Sequence, residues 1–144
     1  MLMQTFRITH RTSLVLATAL LTSASAFAQT KISDEAQLRA IADDLNGSYV
    51  LTQDITLSDE WTPIGTSDNP FKGTLDGQGH TIKGLTVGNG SNNDNNNKAF
   101  FGFTNGATVT NIGFTSAVVK GHEQAAIVVA QAISSTPVSY THLT

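Results

Sequence analysis

The sequence contains no cysteine. This excludes a disulfide framework and lipid attachment through an N-terminal cysteine, so the folded part must be held by packing and backbone pairing. Basic residues are scarce as well. Beyond residue 28, Lys31, Arg39, Lys72, Lys83, Lys98 and Lys120 face eleven acidic residues, a net charge of −5. That balance argues against a nucleic-acid partner, which needs a basic face, and against an anionic membrane surface. No apolar run approaches the roughly 20 residues of a membrane-spanning helix, so no span is expected once a leader is removed. There is no G-x-S-x-G, no H-E-x-x-H, no phosphate loop and no zinc-ligand spacing.

What is present begins with an export signal. Arg7, His10 and Arg11 form a basic start, Leu14 to Leu21 an apolar run, and Ala26-Phe27-Ala28 a small-x-small cleavage site. Residues 1–28 therefore read as a signal peptide and Gln29 as the first mature residue. Export ends in the medium, on the cell surface or in the periplasm. The other end reads as foreign. Val138 to Thr144, V-S-Y-T-H-L-T, can be encoded by GTC TCT TAT ACA CAT CTG ACG, with CCT for Pro137 before it. That string matches a widely used transposon-based sequencing adapter. The expectation is adapter read-through over 137–144 and a natural fragment over 29–136.

Between those ends, one stretch organises the chain. From Trp61 to Val87 the large apolar residues Trp61, Ile64, Phe71, Leu75, Ile82, Leu85 and Val87 alternate with glycines at 65, 73, 77, 79 and 84. Short strands with inward side chains, joined by tight turns, are the expected result. Ahead of it, Ala36, Leu38, Ala40, Ile41 and Leu45 fall mostly on one helical face. A helix over about 34–45 is expected, with Ser33 as N-cap and Asn46-Gly47 as its stop. It would cap the end of a strand stack. Tyr49 to Leu57 alternates as a first strand interrupted near Gln53, with Tyr49, Leu51, Ile55 and Leu57 inward.

A repeat is visible by spacing. Thr81-Ile82-x-x-Leu85-x-Val87 and Thr108-Val109-x-x-Ile112-x-Phe114 share one pattern at an offset of 27, and Phe101 precedes Val128 by 27. This falls within the periods that mark repeat architectures. The expected ladders are Ile82 over Val109, Leu85 over Ile112 and Val87 over Phe114. Gly88 to Lys98, rich in asparagine, reads as an excursion between layers. Asp94 makes it a weak calcium candidate, but the carboxylate spacing of an EF-hand is missing.

The segment W-T-P-I-G, followed by P-F-K-G-T-L-D-G-Q-G-H-T-I-K-G-L, resembles the GLUG-repeat family of secreted bacterial surface proteins. Y-V-L-T-Q-D-I-T-L resembles that family's opening phrase. Where the family's G-L-V-G phrase would follow, Ala125 to Ala130 reads A-A-I-V-V-A, so the likeness weakens there. The resemblance implies an all-β fold, a right-handed parallel β-helix, in agreement with the usual hand of parallel crossovers. It also implies an adhesin-like, non-enzymatic surface scaffold contacting a protein or glycan of a host, matrix or neighbouring cell.

Asp54, Asp59, Glu60, Asp76 and His80 are the residues near recognisable motifs that could carry chemistry. Asp76 and His80 could share a proton across Asp-Gly-Gln-Gly-His, and glycan hydrolysis would need opposed carboxyls such as a stacked Asp54 and Asp76. The turn reading outweighs both, because Asp-Gly-x-Gly is turn composition with the aspartate holding backbone amides. No catalytic residue, cofactor or metal is expected within the chain. Lys72, Lys83, Asn93 and Asn95 are the outward binding candidates. Two alternatives concern a longer parent: the non-catalytic N-terminal region of a secreted zinc metallopeptidase, identified by a downstream H-E-x-x-H, and a polysaccharide-active β-helix enzyme, identified by aligned acidic ladders.

Overall fold

A computed structural model describes residues 28–88, 97–121 and 124–133 and the backbone of 139–143. The signal segment, Asp94, Asn93 and Asn95 lie outside the described residues. Within them the chain is all-β with little helix. Strand β1 (Thr30–Ile32) leads into a short helix α1 (Glu35–Arg39), a single 3-10 turn (Ala40–Asp43), β2 (Ser48–Leu51) and β3 (Ile55–Thr56). Strands β4 (Thr74–Asp76), β5 (Thr81–Lys83), β6 (Thr86–Val87), β7 (Phe101–Asn105), β8 (Thr108–Thr115), β9 (Val118–Val119), β10 (Val129–Ile133) and β11 (Ser139–Leu143) follow.

Every named pairing is parallel, and the pairings stack in columns. β1, β2, β4 and the first half of β8 form one column, with Tyr49, Leu75 and Val109 in register. β3, β5 and the second half of β8 form another, with Ile55, Ile82 and Phe114 in register. β8 is long because it continues through the corner that β4 and β5 turn at Gly77 to His80. β6 pairs with β9, β7 with β10, and β11 lies along β8. Single bridges join Ile64 to Phe101 and Phe71 to Thr104, so the W-T-P-I-G and P-F segments sit one layer from β7.

Alternation decides which side chains face in. Tyr49, Leu51, Ile55, Leu57, Trp61, Ile64 and Phe71 are all buried, as are Leu75, Ile82, Leu85, Val87, Phe100 and Phe101 in the next layer. Burial of each large side chain stabilises by roughly 1.5–3 kcal/mol. Aromatic rings carry the core from layer to layer. Phe71 stacks on Phe101 at 4.6 Å, and Phe100 meets Phe101 and Phe114 edge-on at 4.9 and 5.4 Å.

Three expectations need correction. The period is not constant: 27 positions separate Ile55 from Ile82, but 34 separate Leu75 from Val109 and 32 separate Ile82 from Phe114. Val109 therefore stacks on Leu75, Phe114 on Ile82 and Val119 on Val87, in place of the ladders predicted at 27. The Leu85 carbonyl instead accepts from Val118 N–H, and Phe101 pairs with Val129 at an offset of 28. Fourteen positions separate Val87 from Phe101 but three separate Trp61 from Ile64, so pairings across this point depart from an offset of 27.

The second correction is the helix, which is shorter than 34–45. Asp34, not Ser33, is its N-cap: Oδ1 accepts from Gln37 N–H at 2.8 Å, while Ser33 N–H donates to the Gln37 side chain. Tightening into the 3-10 turn brings residues three apart onto one side. Leu38 and Ile41 are thereby both completely buried. Thirdly, β1 precedes the strand taken to be first. Its three residues hold one inward side chain, Ile32, too little to show alternation.

Candidate functional site

The groups of the turn from Asp76 to His80 are engaged in holding layers together. Asp76 Oδ1 accepts from Gln78 N–H at 2.9 Å and from Asn111 Nδ2 at 3.1 Å, and Oδ2 accepts from Gln78 Nε2 at 2.7 Å. Gly77 and Gly79 N–H donate to the carbonyls of Thr110 and Asn111, both at 2.8 Å. A Cβ at Gly77 would lie 2.7 Å from Ile112 Cα, so the close approach of the layers requires glycine there. Burial raises the Asp76 pKa, but the hydrogen bonds from Gln78 and Asn111 outweigh it and leave the carboxyl below its ordinary value.

His80 is paired with a different carboxylate from the one its sequence neighbourhood suggested. Its Nδ1 lies 3.5 Å from Asp54 Oδ1, an atom that accepts from Thr81 N–H at 2.9 Å. Lys83 Nζ is 3.9 Å from the other Asp54 oxygen. The Thr81 amide is the main reason that the Asp54 carboxyl is held below its usual range; the nearby Lys83 and His80 add to it, and together they outweigh desolvation, which acts the other way. Asp54 and Asp76 do not stack. Asp54 precedes Ile55 and so lies beside Thr81, whereas Asp76 pairs with Val50 and Thr110 in the other column.

Asp59 and Glu60 serve the helix end. Arg39 donates to both of their backbone carbonyls, at 3.4 and 3.2 Å, and its guanidinium lies 4.9 Å over the Trp61 ring. Arg39 also pairs with Glu35 at 2.7 Å. This bond, with donors from Ser58, holds the Glu35 carboxyl below its ordinary value against desolvation. The Glu60 carboxylate accepts from Gly88 N–H at 3.1 Å. Among the described residues no cluster of three His, Asp or Glu could hold a metal ion, and no helix is long and apolar enough to cross a membrane.

Of the predicted surface candidates, Lys72 and Lys83 are exposed and belong to different places. Lys83 joins Asp54, and Lys72 borders a cleft of about 490 Å³ with Asn46, Gly47, Ser48 and Thr74. There Ser48 and Thr74 hydroxyls are 2.7 Å apart across two layers.

Sequence reasoning missed a second cleft, of about 420 Å³, between the W-T-P-I-G corner and β7. Its walls include Pro63, Gly65, Thr66, Asn97, Lys98, Gly102 and Phe103. A Cβ on Gly102 would lie 2.8 Å from the Gly65 carbonyl oxygen and 3.4 Å from that of Asn97, so two carbonyl oxygens converge over the glycine. The Asn97 side-chain oxygen is buried and has no hydrogen-bond partner. The signal was the glycine between two phenylalanines in F-G-F, where only a missing side chain admits this approach.

No family model, curated protein or solved structure matches this chain.

Proposed function

We propose that the parallel layers belong to a right-handed β-helix of the GLUG-repeat kind, and that the chain is an exported, non-enzymatic scaffold displaying its turns and outer faces for adhesive contact at a bacterial surface. The single observation that carries this reading is the employment of the acidic residues. Asp54, Asp76, Glu35 and Glu60 each accept hydrogen bonds from the backbone of another segment or of their own turn, and so act as fasteners between layers. A hydrolytic site needs two carboxyls opposed across a groove, one of them with a raised pKa. Here Glu35, Asp54 and Asp76 are all shifted downwards. The parallel stacking and the W-T-P-I-G and D-G-Q-G-H phrases support the family reading, and residues 1–28 support export.

The test is to express the chain with its leader in a non-adherent bacterial host and display it on the cell surface. Expected are a mature N-terminus at Gln29 and adhesion to surfaces coated with matrix protein or glycan. Retention of an uncleaved leader in the cytoplasm would overturn export. Release of new reducing ends or unsaturated products from soluble polysaccharides would overturn the non-enzymatic reading in favour of a carbohydrate-active β-helix.

A further inference from the structure

We infer that Asn46 is a site of spontaneous deamidation, selected by the fold over Asn105, and that its conversion to isoaspartate loosens the tie between β2 and β4. The sequence holds the pairs Asn46-Gly47, Asn89-Gly90 and Asn105-Gly106, of which the second lies outside the described residues. In such a pair the main-chain nitrogen of the glycine attacks the asparagine Cγ. The new N–Cγ bond closes a succinimide ring, the Cγ–Nδ2 bond breaks, and ammonia leaves with the proton lost from the glycine nitrogen. One water then opens the ring. Hydrolysis of the N–Cγ bond gives aspartate, and hydrolysis at the original peptide carbonyl gives isoaspartate, whose main chain runs through Cβ and Cγ. Glycine favours the attack because it has no Cβ and its backbone turns freely.

The fold holds the two described pairs differently. Asn105 ends β7 opposite Ile133 of β10, and its N–H donates to the Phe71 carbonyl at 2.9 Å. Gly106 N–H, the nitrogen that would attack, donates to the Ile133 carbonyl at 3.1 Å. It is therefore fixed between layers. Asn46 instead lies exposed in the turn ahead of β2 and borders the cleft of about 490 Å³, through which water reaches it. Gly47 N–H donates only within its own turn, to the Asp44 carbonyl at 3.3 Å, beyond the usual length of such a bond. The shorter partner of that carbonyl is the Tyr49 hydroxyl, at 2.6 Å. The nucleophile at 47 is thus loosely held, and the amide it attacks is open to solvent.

The position gives the reaction a structural consequence. The Leu45 carbonyl accepts from Lys72 and Gly73 N–H at 2.8 and 3.0 Å, and the Gly47 carbonyl accepts from Thr74 N–H at 3.0 Å. Asn46 stands between these two acceptors. The second layer crosses so closely that a Cβ on Gly73 would lie 3.1 Å from the Asn46 carbonyl carbon. Isoaspartate lengthens the main chain by a single carbon at that crossing, so the two acceptors cannot both keep their donors. Aspartate adds a charge and leaves the main chain its length.

The experiment ages the whole protein in mildly alkaline buffer, folded and in parallel in guanidinium chloride. Each Asn-Gly peptide is followed by mass spectrometry with electron-transfer fragmentation, which tells aspartate from isoaspartate. In the folded protein Asn46 is expected to convert about tenfold faster than Asn105, the ratio that about 1.4 kcal/mol of additional local opening at β7 gives. In guanidinium chloride the two should convert at similar rates. The isoaspartate-rich fraction should melt about 4–8 °C lower than the unconverted protein, as the loss of one backbone hydrogen bond implies for a domain of this size. Asn46→Asp should melt with the wild type. An intact Asn46 after ageing of the folded protein would overturn the site, and equal conversion of Asn105 in the fold, or an unequal ratio persisting in guanidinium chloride, would overturn selection by the fold. An isoaspartate-rich fraction as stable as the unconverted protein would overturn the loosening of the layers.

Discussion

Trp61 lies flat against Phe100 of the next layer, with ring centres 4.6 Å apart and planes 8° from parallel, and its indole N–H donates to the Phe100 carbonyl at 3.0 Å. One residue thus supplies both an apolar ladder step and a polar tie, 39 positions along the chain. The same carbonyl accepts from Ile64 N–H at 3.0 Å, so W-T-P-I grips one oxygen with both of its inward residues.

Replacing Trp61 should separate these contributions. Trp61→Phe retains a ring but loses the indole donor, and the Phe100 carbonyl keeps its bond from Ile64. The expected cost is about 1–2 kcal/mol. Trp61→Ala also opens a cavity beside Phe100 and should cost about 3–5 kcal/mol. Denaturant unfolding checks both; equal costs would show that packing contributes little at this position.

Among the described residues Thr104 is the buried polar side chain, 1% exposed, and its hydroxyl oxygen has no hydrogen-bond partner. It stacks between Phe71 and Ala132. Valine has nearly the same shape and suits a strand, and it removes the uncompensated hydroxyl. Thr104→Val should therefore stabilise the protein by about 1 kcal/mol, seen as a higher denaturant midpoint with an unchanged slope. A loss of stability would mean that the hydroxyl is satisfied in solution.

The inward residues were legible because each belongs to a short alternating run bounded by glycine, and Trp61, Ile64, Phe71, Leu75, Ile82, Leu85 and Val87 are all buried. Partnership between layers was not. Tyr49 meets Leu75 and Leu75 meets Val109 at unequal separations, because loops can lengthen while strands keep their stacking. A pattern match at one offset therefore joined Val109 to the wrong strand. The pairing of His80 with Asp54 was hidden for the same reason. Local sequence offered Asp76, and only stacking brings residue 54 beside residue 81. The cleft was the least visible part, since main-chain carbonyl oxygens at Gly65 and Asn97 leave no mark in residue type.

Acid should loosen the layers. Asp54, Asp76 and Glu35 have pKa values below their ordinary ones in the fold. A depressed carboxyl stabilises the fold above its unfolded pKa, about 3.9 for aspartate and 4.3 for glutamate, and the contribution is lost as pH falls through the folded value. Melting temperature should thus be level from neutral to about pH 5 and then fall steeply. Asp76→Ala removes the acceptor for Gln78 and Asn111, so it should melt lower at neutral pH and show a shallower acid decline. An acid decline as steep as that of the wild type would assign the acid sensitivity to other groups.

Alkali should act at the other end of the first column. The Tyr49 hydroxyl donates to the Asp44 carbonyl at 2.6 Å and ties β2 to the helix end. Burial raises its pKa above the ordinary value, and the nearby Asp44 and Asp43 charges add to the rise. Such a group gives its full stabilisation below the unfolded pKa of about 10 and loses it as pH rises towards the folded value. Stability should therefore decline above about pH 10, and the ultraviolet absorbance of the phenolate should rise as the protein unfolds. Tyr49→Phe should cost about 1 kcal/mol at neutral pH through the lost hydrogen bond. It should also weaken the alkaline decline relative to the wild type. If both proteins lose stability in parallel, the phenol is not the group that titrates, and the tie to Asp44 contributes nothing to alkaline unfolding.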